Sequence, residues 1–184
     1  MNRKFAAVGL LLLFAAVLAK AGRKEEEPLR VVPSVDLPRY AGLWYEVARL
    51  PNRFEEKCAG DVSAEYTLRA DGRLKGVNRC RRGDGEMAEV VGEAKPADKN
   101  GPNSRLKVRF APAFLSFLPA VWGDYQIIGL APDYTHAVVG SPDRKYLWVL
   151  SRNPLMDEAA YLRLLEAARS QGFDVGRIIR TKHG

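Results

Sequence analysis

Few side chains in this 184-residue chain have the types and neighbours that catalysis or metal binding needs. The chain holds two histidines and two cysteines, which is too few for a zinc site built from the usual nitrogen and sulfur ligands, so we expect no metal. No serine lies in a Gly-x-Ser-x-Gly elbow, and paired carboxylates occur only in surface-like settings such as Glu55 and Glu56. These residues favour a binding protein over an enzyme, and they imply no cofactor.

Positive charge is in excess but dispersed along the chain. There are 29 Lys and Arg residues against 22 Asp and Glu, which gives a formal net charge of +7. Because the basic residues alternate with acidic ones and no stretch interleaves them with stacking aromatic residues, we predict no nucleic-acid partner. The charge is compatible with weak attraction to an anionic lipid surface. The length fits one domain with a hydrophobic core, and we expect a monomer or a weak homodimer.

The N-terminal residues have the pattern of an export signal. Two basic residues precede an uncharged apolar run from Phe5 to Ala19, and Ala19-Lys20-Ala21 has the small-x-small spacing of a signal-peptidase site. We therefore predict a signal peptide over residues 1–21 and an exported protein of the periplasm or cell envelope. Cleavage leaves 163 residues with a net charge of +4. No cysteine stands at the cut, so we expect no lipid attachment there; an uncleaved N-terminal anchor is the alternative.

From residue 43 onward, short runs that alternate apolar and polar residues predict β-strands. Asp71-Gly72, between two such runs, is a strong hairpin signal. Residues 22–39, which are charged and then punctuated by prolines, are predicted as an extended lead-in. The predicted strands are Leu43–Leu50, Val62–Leu68, Leu74–Cys80, Met87–Ala94, Arg105–Phe110, Tyr125–Leu130, His136–Gly140 and Tyr146–Ser151. Eight regularly spaced strands with short loops favour an antiparallel sandwich or an up-and-down barrel.

One segment near the C-terminus changes to a helical period. Asp157 is placed to cap its start, and Gly172 stands where the helix would end. Apolar residues recur between them at i, i+3, i+4 and i+7, at positions Tyr161, Leu164, Leu165 and Ala168. We predict an amphipathic helix that packs on the outside of the sheet, with its polar face in solvent.

The two cysteines fall on one predicted hairpin. Cys58 precedes the second strand and Cys80 ends the third, so a turn near Gly72 brings both to the open end of the hairpin. An oxidising compartment and this geometry favour a disulfide, while two free thiols are the alternative. If Cys80 were free and inward-facing, a thiol-dependent activity would become worth testing.

Three separated patches occur in order along the strands. Gly42-Leu43-Trp44-Tyr45-Glu46 opens the first strand, Pro132-Asp133-Tyr134 lies between the sixth and seventh, and the run from Leu147 to Arg152 ends the eighth. With the strand count and the helix, this order resembles the lipocalin family, most closely its bacterial outer-membrane and apolipoprotein D-like branch. The likeness runs from about Val35 to the C-terminus. It departs from the family pattern at Pro132, where the family usually has Thr, and in lacking the lipid-attached cysteine of many bacterial members.

The resemblance implies an all-β fold, with an eight-stranded antiparallel up-and-down β-barrel over residues 40–184 and one C-terminal α-helix packed outside. It also implies that Trp44 plugs the closed end of the barrel and that Arg152 lies across it, as a structural pair rather than as ligand contacts. Cation–π stacking and hydrogen bonds to nearby carbonyl groups would justify an arginine there.

Alternation along the strands then selects a set of side chains that face the interior. From Trp44, the parity places Glu46, Ala48 and Leu50 inward; from Arg152, it places Val149 and Leu147 outward under the helix. The predicted ligand-binding residues are Tyr66, Asn78, Val108, Phe110, Tyr125, Ile127, His136, Tyr146, Trp148 and Leu150. An alternative at each position is that the side chain simply fills the core.

This set is mostly apolar with a few polar tips, which suits a hydrocarbon ligand with a small polar head. The resemblance implies a fatty acid, a lysophospholipid or a similar lipid, carried or stored inside the barrel, with a role in membrane maintenance. The alternatives are a lipocalin-type enzyme that acts on a lipid-like substrate, and an envelope interaction protein that uses the apolar loop at residues 111–122.

That loop is unusually apolar for a segment predicted at the open mouth of the barrel. We expect Phe114, Leu115, Phe117 and Leu118 to form a lid, or a lip that docks on a membrane or a partner. The alternative is ordinary packing of the loop over the mouth.

Overall fold

A computed structural model describes residues 27–184, so the predicted signal peptide at residues 1–21 lies outside the described part of the chain. The strands are β1 (Gly42–Arg49), β2 (Cys58–Leu68), β3 (Leu74–Arg82), β4 (Met87–Pro96), β5 (Arg105–Arg109), β6 (Gly123–Leu130), β7 (His136–Gly140), β8 (Leu147–Ser151) and β9 (Ile179–Arg180). The α-helices are α1 (Leu37–Tyr40) and α2 (Glu158–Arg169), and short 3-10 helices span Ala113–Leu115, Pro119–Val121 and Val175–Arg177. No helix within residues 27–184 has the length and apolar character that crossing a bilayer requires.

The first eight strands form a closed barrel. Each strand from β1 to β7 pairs antiparallel with the next one along the chain, and β8 pairs back onto β1. Closure satisfies the backbone hydrogen-bonding groups of both sheet edges. The predicted fold class, an eight-stranded antiparallel up-and-down barrel with one helix outside, is confirmed.

Two apolar layers hold this architecture together, one inside the barrel and one between the barrel wall and α2. The outer layer joins Val138, Leu147 and Val149 of the wall to Tyr161 and Leu165 of the helix. The helix begins as predicted, since the Asp157 carboxylate accepts a hydrogen bond of 2.9 Å from the Ala160 amide. The alternation predicted for β8 is therefore correct, with Leu147 and Val149 under the helix.

The predicted alternation in β1 is wrong beyond Glu46. The β1–β8 register slips by one residue between Glu46 and Ala48, which is a β-bulge, and Arg49 rather than Ala48 lies opposite the inward Trp148. Ala48 and Leu50, predicted to face inward, instead join the outer layer under α2. One extra residue in a strand exchanges the two faces for every residue beyond it, so Arg49 enters the barrel.

The closed end of the barrel is built around Trp44, which is completely buried. The Arg152 guanidinium carbon lies 3.8 Å from the centroid of the Trp44 ring, and the Trp44 indole N–H donates to the Tyr40 carbonyl at 2.8 Å. The Arg152 guanidinium also donates to five backbone carbonyls within 3.3 Å, those of Arg39, Tyr40, Ala41, Leu43 and Tyr134. One side chain therefore fastens α1, the start of β1 and the β6–β7 turn together.

Two features of the fold lie outside the sequence prediction. The lead-in, predicted as extended to residue 39, turns into α1 at Leu37, where Asp36 caps the helix by accepting from the Arg39 amide at 3.2 Å. The C-terminal residues form β9, which pairs with β1 at Ala48 and Arg49. Because β1 pairs with β2 only from Gly42 to Tyr45, this tail occupies the seam between the mouth-side halves of the two strands.

Contacts from β2 hold the tail in that seam. The Asp61 amide donates to the Lys182 carbonyl at 2.8 Å, and the Gly184 amide donates to the Asp61 carboxylate at 3.0 Å. A two-residue strand followed by an irregular tail gives no periodic pattern, so sequence analysis could not detect it.

The closed end yields the first prediction. Replacing Arg152 with Met keeps an unbranched stem over Trp44 but removes the guanidinium donor from five carbonyl oxygens, of which that of Tyr40 keeps the Trp44 indole N–H. We expect the free energy of unfolding to fall by about 2–3 kcal/mol, measured by urea unfolding followed through tryptophan fluorescence. Arg169→Met is the matched control, because the side chain of Arg169 is 62% exposed in an ion pair on α2. Equal losses in the two variants would contradict the role given to Arg152.

Candidate functional site

The barrel interior collects most of the predicted ligand-binding residues, at two levels of burial. Ile127 and Leu150 are 0% and 5% exposed and fill the space above Trp44. Others face inward but keep accessible surface, which places them on the wall of the interior: Tyr66, Asn78, Val108, Tyr125, Tyr146 and Trp148. The first two residues are therefore core, and the second group faces the interior with part of its surface accessible.

His136 does not belong to the interior, so its predicted inward position is wrong. In the β7–β8 register, Ala137 lies opposite the inward Leu150, and Val138 lies opposite the outward Val149. His136 shares the parity of Val138 and so lies on the outer face, where its Nδ1 is 2.9 Å from the Thr135 hydroxyl.

Phe110 has the predicted inward parity but lies at the rim. The strand β5 ends one residue earlier, at Arg109, and Phe110 is 46% exposed. Its ring lies over the backbone of Gly92, where a Cβ atom would approach it to 2.7 Å. Because β4 pairs with β5 only from Glu93 to Pro96, the mouth is wide on this side and leaves the inward Val90 45% exposed.

Three tyrosine hydroxyls form a polar cluster at the closed end of the barrel, where the Tyr40 and Trp44 ring centroids are 5.0 Å apart. The Tyr40 and Tyr125 hydroxyl oxygens are 2.8 Å apart, and those of Tyr66 and Tyr125 are 3.1 Å apart. Burial raises the pKa of Tyr66 to about 12, and it raises the pKa of Tyr40 and Tyr125 well above the usual range. All three phenols therefore keep their protons at any physiological pH. We call Tyr40, Tyr66 and Tyr125 the phenol floor.

A second polar cluster lies nearer the mouth and joins a mouth loop to the barrel wall. The Arg49 guanidinium contacts the Glu46 carboxylate at 2.9 Å and the Glu55 carboxylate at 3.1 Å. Glu55 also accepts a hydrogen bond of 2.8 Å from the Trp148 indole N–H. Arg49, Glu46 and Glu55, which we call the mouth cluster, therefore fix the loop that carries Glu55 against the inner wall.

Aromatic rings continue this wall toward solvent. Tyr146 stacks on Trp148 with ring centroids 5.9 Å apart, and Phe54 of the mouth loop contacts Tyr146 at 5.5 Å between centroids. Phe54 is 61% exposed. The three rings form an apolar path from the rim to the interior.

The charge state of Glu46 is set by its surroundings. Burial, together with the charge of Glu55 beside it, raises the pKa of Glu46 from 4.5 to about 8, while Thr181 and Arg49 oppose the shift. Thr181 belongs to the C-terminal tail and donates its hydroxyl to the Glu46 carboxylate. At neutral pH the mouth cluster therefore holds a proton in addition to the Arg49 charge.

The predicted disulfide is confirmed. Cys58 and Cys80 are bonded, with Cα atoms 5.6 Å apart, and neither thiol is free. The bond ties the end of the mouth loop to β3, and it removes the thiol that a cysteine-dependent activity would need.

The apolar loop at residues 111–122 lies at the mouth and leaves its phenylalanines in solvent. Phe114 and Phe117 are each 75% exposed, so they do not pack over the opening; Leu118 is 38% exposed, and Leu115 is half-buried. The far end of the loop is held outside the barrel, because the Trp122 ring lies 4.1 Å from the Lys95 ammonium on the outer face of β4.

Sequence reasoning missed four residues that take part in the site: Tyr40, Arg49, Phe54 and Glu55. Arg49 enters the barrel through the bulge, and Phe54 and Glu55 enter from a loop without periodicity. Tyr40 is carried by a single helical turn. The one available signal is local: Asp36 followed by Pro38 is a helix start, and it would have placed Tyr40 on that turn.

Comparison with known proteins finds a matching family model and relatives that agree with one another. Residues 35–183 match the model of a family described as "Lipocalin-like domain". The chain is 39% identical over 158 residues to temperature-induced lipocalin-1 of Arabidopsis thaliana, covering 85% of this chain and 84% of the relative. It is 36% identical over 167 residues to outer membrane lipoprotein Blc of Citrobacter freundii, covering 90% and 89%. It is 31% identical over 156 residues to apolipoprotein D of Rattus norvegicus, covering 80% and 77%.

A solved structure supports the same fold. Insecticyanin from the tobacco hornworm Manduca sexta superposes with a TM-score of 0.65 at 19% identity, covering 86% of each chain.

The raised pKa of Glu46 yields a prediction about stability. Between pH 4.5 and about pH 8 the folded protein holds a proton on Glu46 that the unfolded chain has released, so stability falls as the pH rises through this window. Glu46→Gln removes that proton uptake. We therefore expect the unfolding free energy of the variant to fall less than that of wild type over the same window, with a difference between the two falls of at least about 1 kcal/mol. Chemical unfolding at several pH values measures this.

The matched control for this measurement is Glu166→Gln, because the side chain of Glu166 is 65% exposed. We expect its pH profile to follow wild type. Parallel profiles for wild type and Glu46→Gln would show that Glu46 is ionised in the folded protein and would contradict the prediction.

Proposed function

Because the chain belongs to the lipocalin family, whose members bind small hydrophobic ligands, we propose that it carries or stores a fatty acid, lysophospholipid or similar lipid in its barrel. The main structural support for this proposal is the arrangement of the side chains that face the barrel interior. Fully buried residues fill the closed end, and half-buried apolar and aromatic residues face inward between that core and the open mouth. This arrangement suits one elongated apolar molecule.

Hydrocarbon burial supplies the affinity in this proposal. Each CH₂ group removed from water contributes about 0.8 kcal/mol, so a long acyl chain reaches micromolar binding without a charge partner. The aromatic path formed by Phe54, Tyr146 and Trp148 leads from the rim into this space.

The proposed location is the cell envelope, with a role in membrane maintenance. The export signal predicted over residues 1–21 and the similarity to relatives named outer membrane lipoprotein Blc support an exported, periplasmic or envelope-associated protein. Since no cysteine stands at the proposed cut, the mature protein is not a lipoprotein in this proposal.

Contact with a membrane is proposed for the loop at residues 111–122. Phe114 and Phe117 offer exposed aromatic surface beside the mouth, and Trp122 at the base of the loop lies against the cationic side chains of Lys95 and Arg109. Apolar tips with a tryptophan and basic residues behind them suit the boundary between lipid tails and anionic head groups. Lipid would then enter through the adjacent mouth.

A binding role is proposed in preference to catalysis. The relatives are lipocalins, which are generally binding proteins, and both cysteines of the chain are held in the disulfide.

Two neighbouring residues of β4 test whether the interior holds the ligand. Val90 faces inward and is 45% exposed, whereas Val91 faces outward and is 48% exposed. We expect Val90→Trp to block the interior and weaken binding of a fluorescent fatty acid at least about tenfold, because the ring occupies the path of the acyl chain. Val91→Trp should bind like wild type. Equal affinities for the two variants would reject the interior as the site, and native mass spectrometry of gently purified protein should show a co-purifying lipid.

The docking loop is tested by removing its aromatic surface. We expect Phe114→Ser with Phe117→Ser to reduce association with anionic liposomes and to slow lipid uptake, because less apolar area enters the lipid. Leu155→Ser is the control, since Leu155 is 83% exposed outside this loop. Unchanged liposome association and unchanged uptake in the double variant would reject the docking role.

A further inference from the structure

The phenol floor has one more hydrogen-bond donor than it uses. Three O–H groups make two contacts, Tyr40 with Tyr125 and Tyr66 with Tyr125, and each contact consumes one proton. Among residues 27–184, these hydroxyls have no acceptor other than one another. One O–H group therefore remains to donate, and leaving it unsatisfied in a buried site costs about 1–3 kcal/mol.

The spare proton is available to the interior. Tyr40 is 0% exposed, so it has no surface to offer to a ligand and is placed to donate to Tyr125. Tyr66 and Tyr125 face inward and are half-buried, so each keeps some accessible surface inside the barrel. The third hydroxyl proton can then be donated to a ligand by Tyr66 or by Tyr125, at the end of the interior farthest from the mouth.

A second polar group lies on the wall beside the floor. Tyr66 packs against Gly76, where a Cβ atom would approach its ring to 3.3 Å, and Asn78 is the next inward residue of β3 toward the mouth. The side-chain oxygen of Asn78 is buried and has no hydrogen-bond partner among residues 27–184. This oxygen accepts hydrogen bonds and so adds no donor for a carbonyl group; the donor must come from the tyrosine hydroxyls, and Asn78 only makes the adjoining wall polar.

The charges near the floor do not suit an anion. The charged groups that act on the phenols are Arg152, which lies beyond Trp44 and is engaged with backbone carbonyls, and the carboxylate of Glu55 in the mouth cluster. A carboxylate or phosphate at the floor would lose its hydration and gain no cationic partner, which is expensive in a buried site. An uncharged acceptor carries no such penalty.

We propose that the phenol floor binds the uncharged carbonyl end of a hydrocarbon ligand, such as an ester or a protonated carboxylic acid, with the chain extended toward the mouth. This rests on the proposed function, since it needs a lipid inside the barrel. It sets the orientation of the ligand, with the polar end innermost. It also separates carbonyl-terminated lipids from ligands whose head is charged, because a charged head is excluded from the floor.

The test pairs a floor variant with ligands that differ only in the carbonyl group. Tyr66→Phe with Tyr125→Phe removes the hydroxyls of the two half-buried tyrosines and preserves the rings. Tyr45→Phe is the matched control, because it removes a phenol on the outer face of β1, where the Tyr45 ring contacts His183 at 5.8 Å between centroids. Each protein is loaded with diphenylhexatriene, which reports that the interior is intact, and the probe is displaced by a long-chain fatty-acid methyl ester or by the alkane of equal length.

We expect the floor variant to bind the methyl ester about tenfold more weakly, the effect of one lost hydrogen bond, and to bind the alkane as wild type does. The control should bind both compounds like wild type. Equal effects on ester and alkane, or no effect on either, would overturn the proposal and leave the lipid-binding function in place. If the wild-type protein takes up neither compound nor the probe, the proposed function itself fails.

Discussion

The attachment of Arg152 across Trp44 is the interaction on which the rest of the structure depends. A β-barrel has two open ends, and a ligand space requires that one of them be sealed while the other stays open. The Trp44 indole ring closes the opening. The Arg152 guanidinium stacks on the side of this ring that faces away from the mouth, and it donates to carbonyls of three separate segments. Buried carbonyls need hydrogen-bond donors, and here the guanidinium supplies them to segments that do not all pair with a neighbouring strand, together with the Trp44 indole at Tyr40. The same two side chains, Trp44 and Arg152, therefore close this end of the barrel and donate hydrogen bonds to the backbone carbonyls there.

Above this seal, the interior changes character with height. The lowest level is packed core, the next is the phenol floor, and the level nearest the mouth combines aromatic rings with the ionic mouth cluster. Charge is confined to the level where a loop and the C-terminal tail satisfy it, through Glu55 and Thr181. The lower levels contain only neutral polar groups, because an ion there would lack both water and a partner. This change in polarity from the closed end to the mouth favours a ligand with an apolar body and determines which end of the ligand lies innermost.

The bulge in β1 links the interior to the outer layer. By adding one residue between Glu46 and Ala48, it supplies Ala48 and Leu50 to the packing of α2 and turns Arg49 inward to meet Glu46 and Glu55. Neither result is available to a regular strand, since strict alternation would bury Leu50 in the barrel and leave Arg49 under the helix. The bulge therefore contributes residues both to the outer layer and to the barrel interior. It also positions the mouth loop, because the inward Arg49 contacts Glu55 of that loop.

Features that depend on local pattern can be read from the residues alone. Alternation and turn residues gave the eight strands, the helical period with the Asp157 cap gave α2, and the position of two cysteines on one hairpin gave the disulfide. Features that depend on register, or on contacts between residues far apart in the chain, become visible only in the folded barrel. The bulge reversed the faces of Ala48 and Leu50, the β7–β8 register placed His136 outside, and the pairing of the tail with β1 had no periodic signal. The phenol floor shows the same division, since its residues come from α1, β2 and β6 and meet only when the barrel closes. Patterns along a chain report which face a residue prefers, whereas the partners of that residue are fixed by the closure of the barrel.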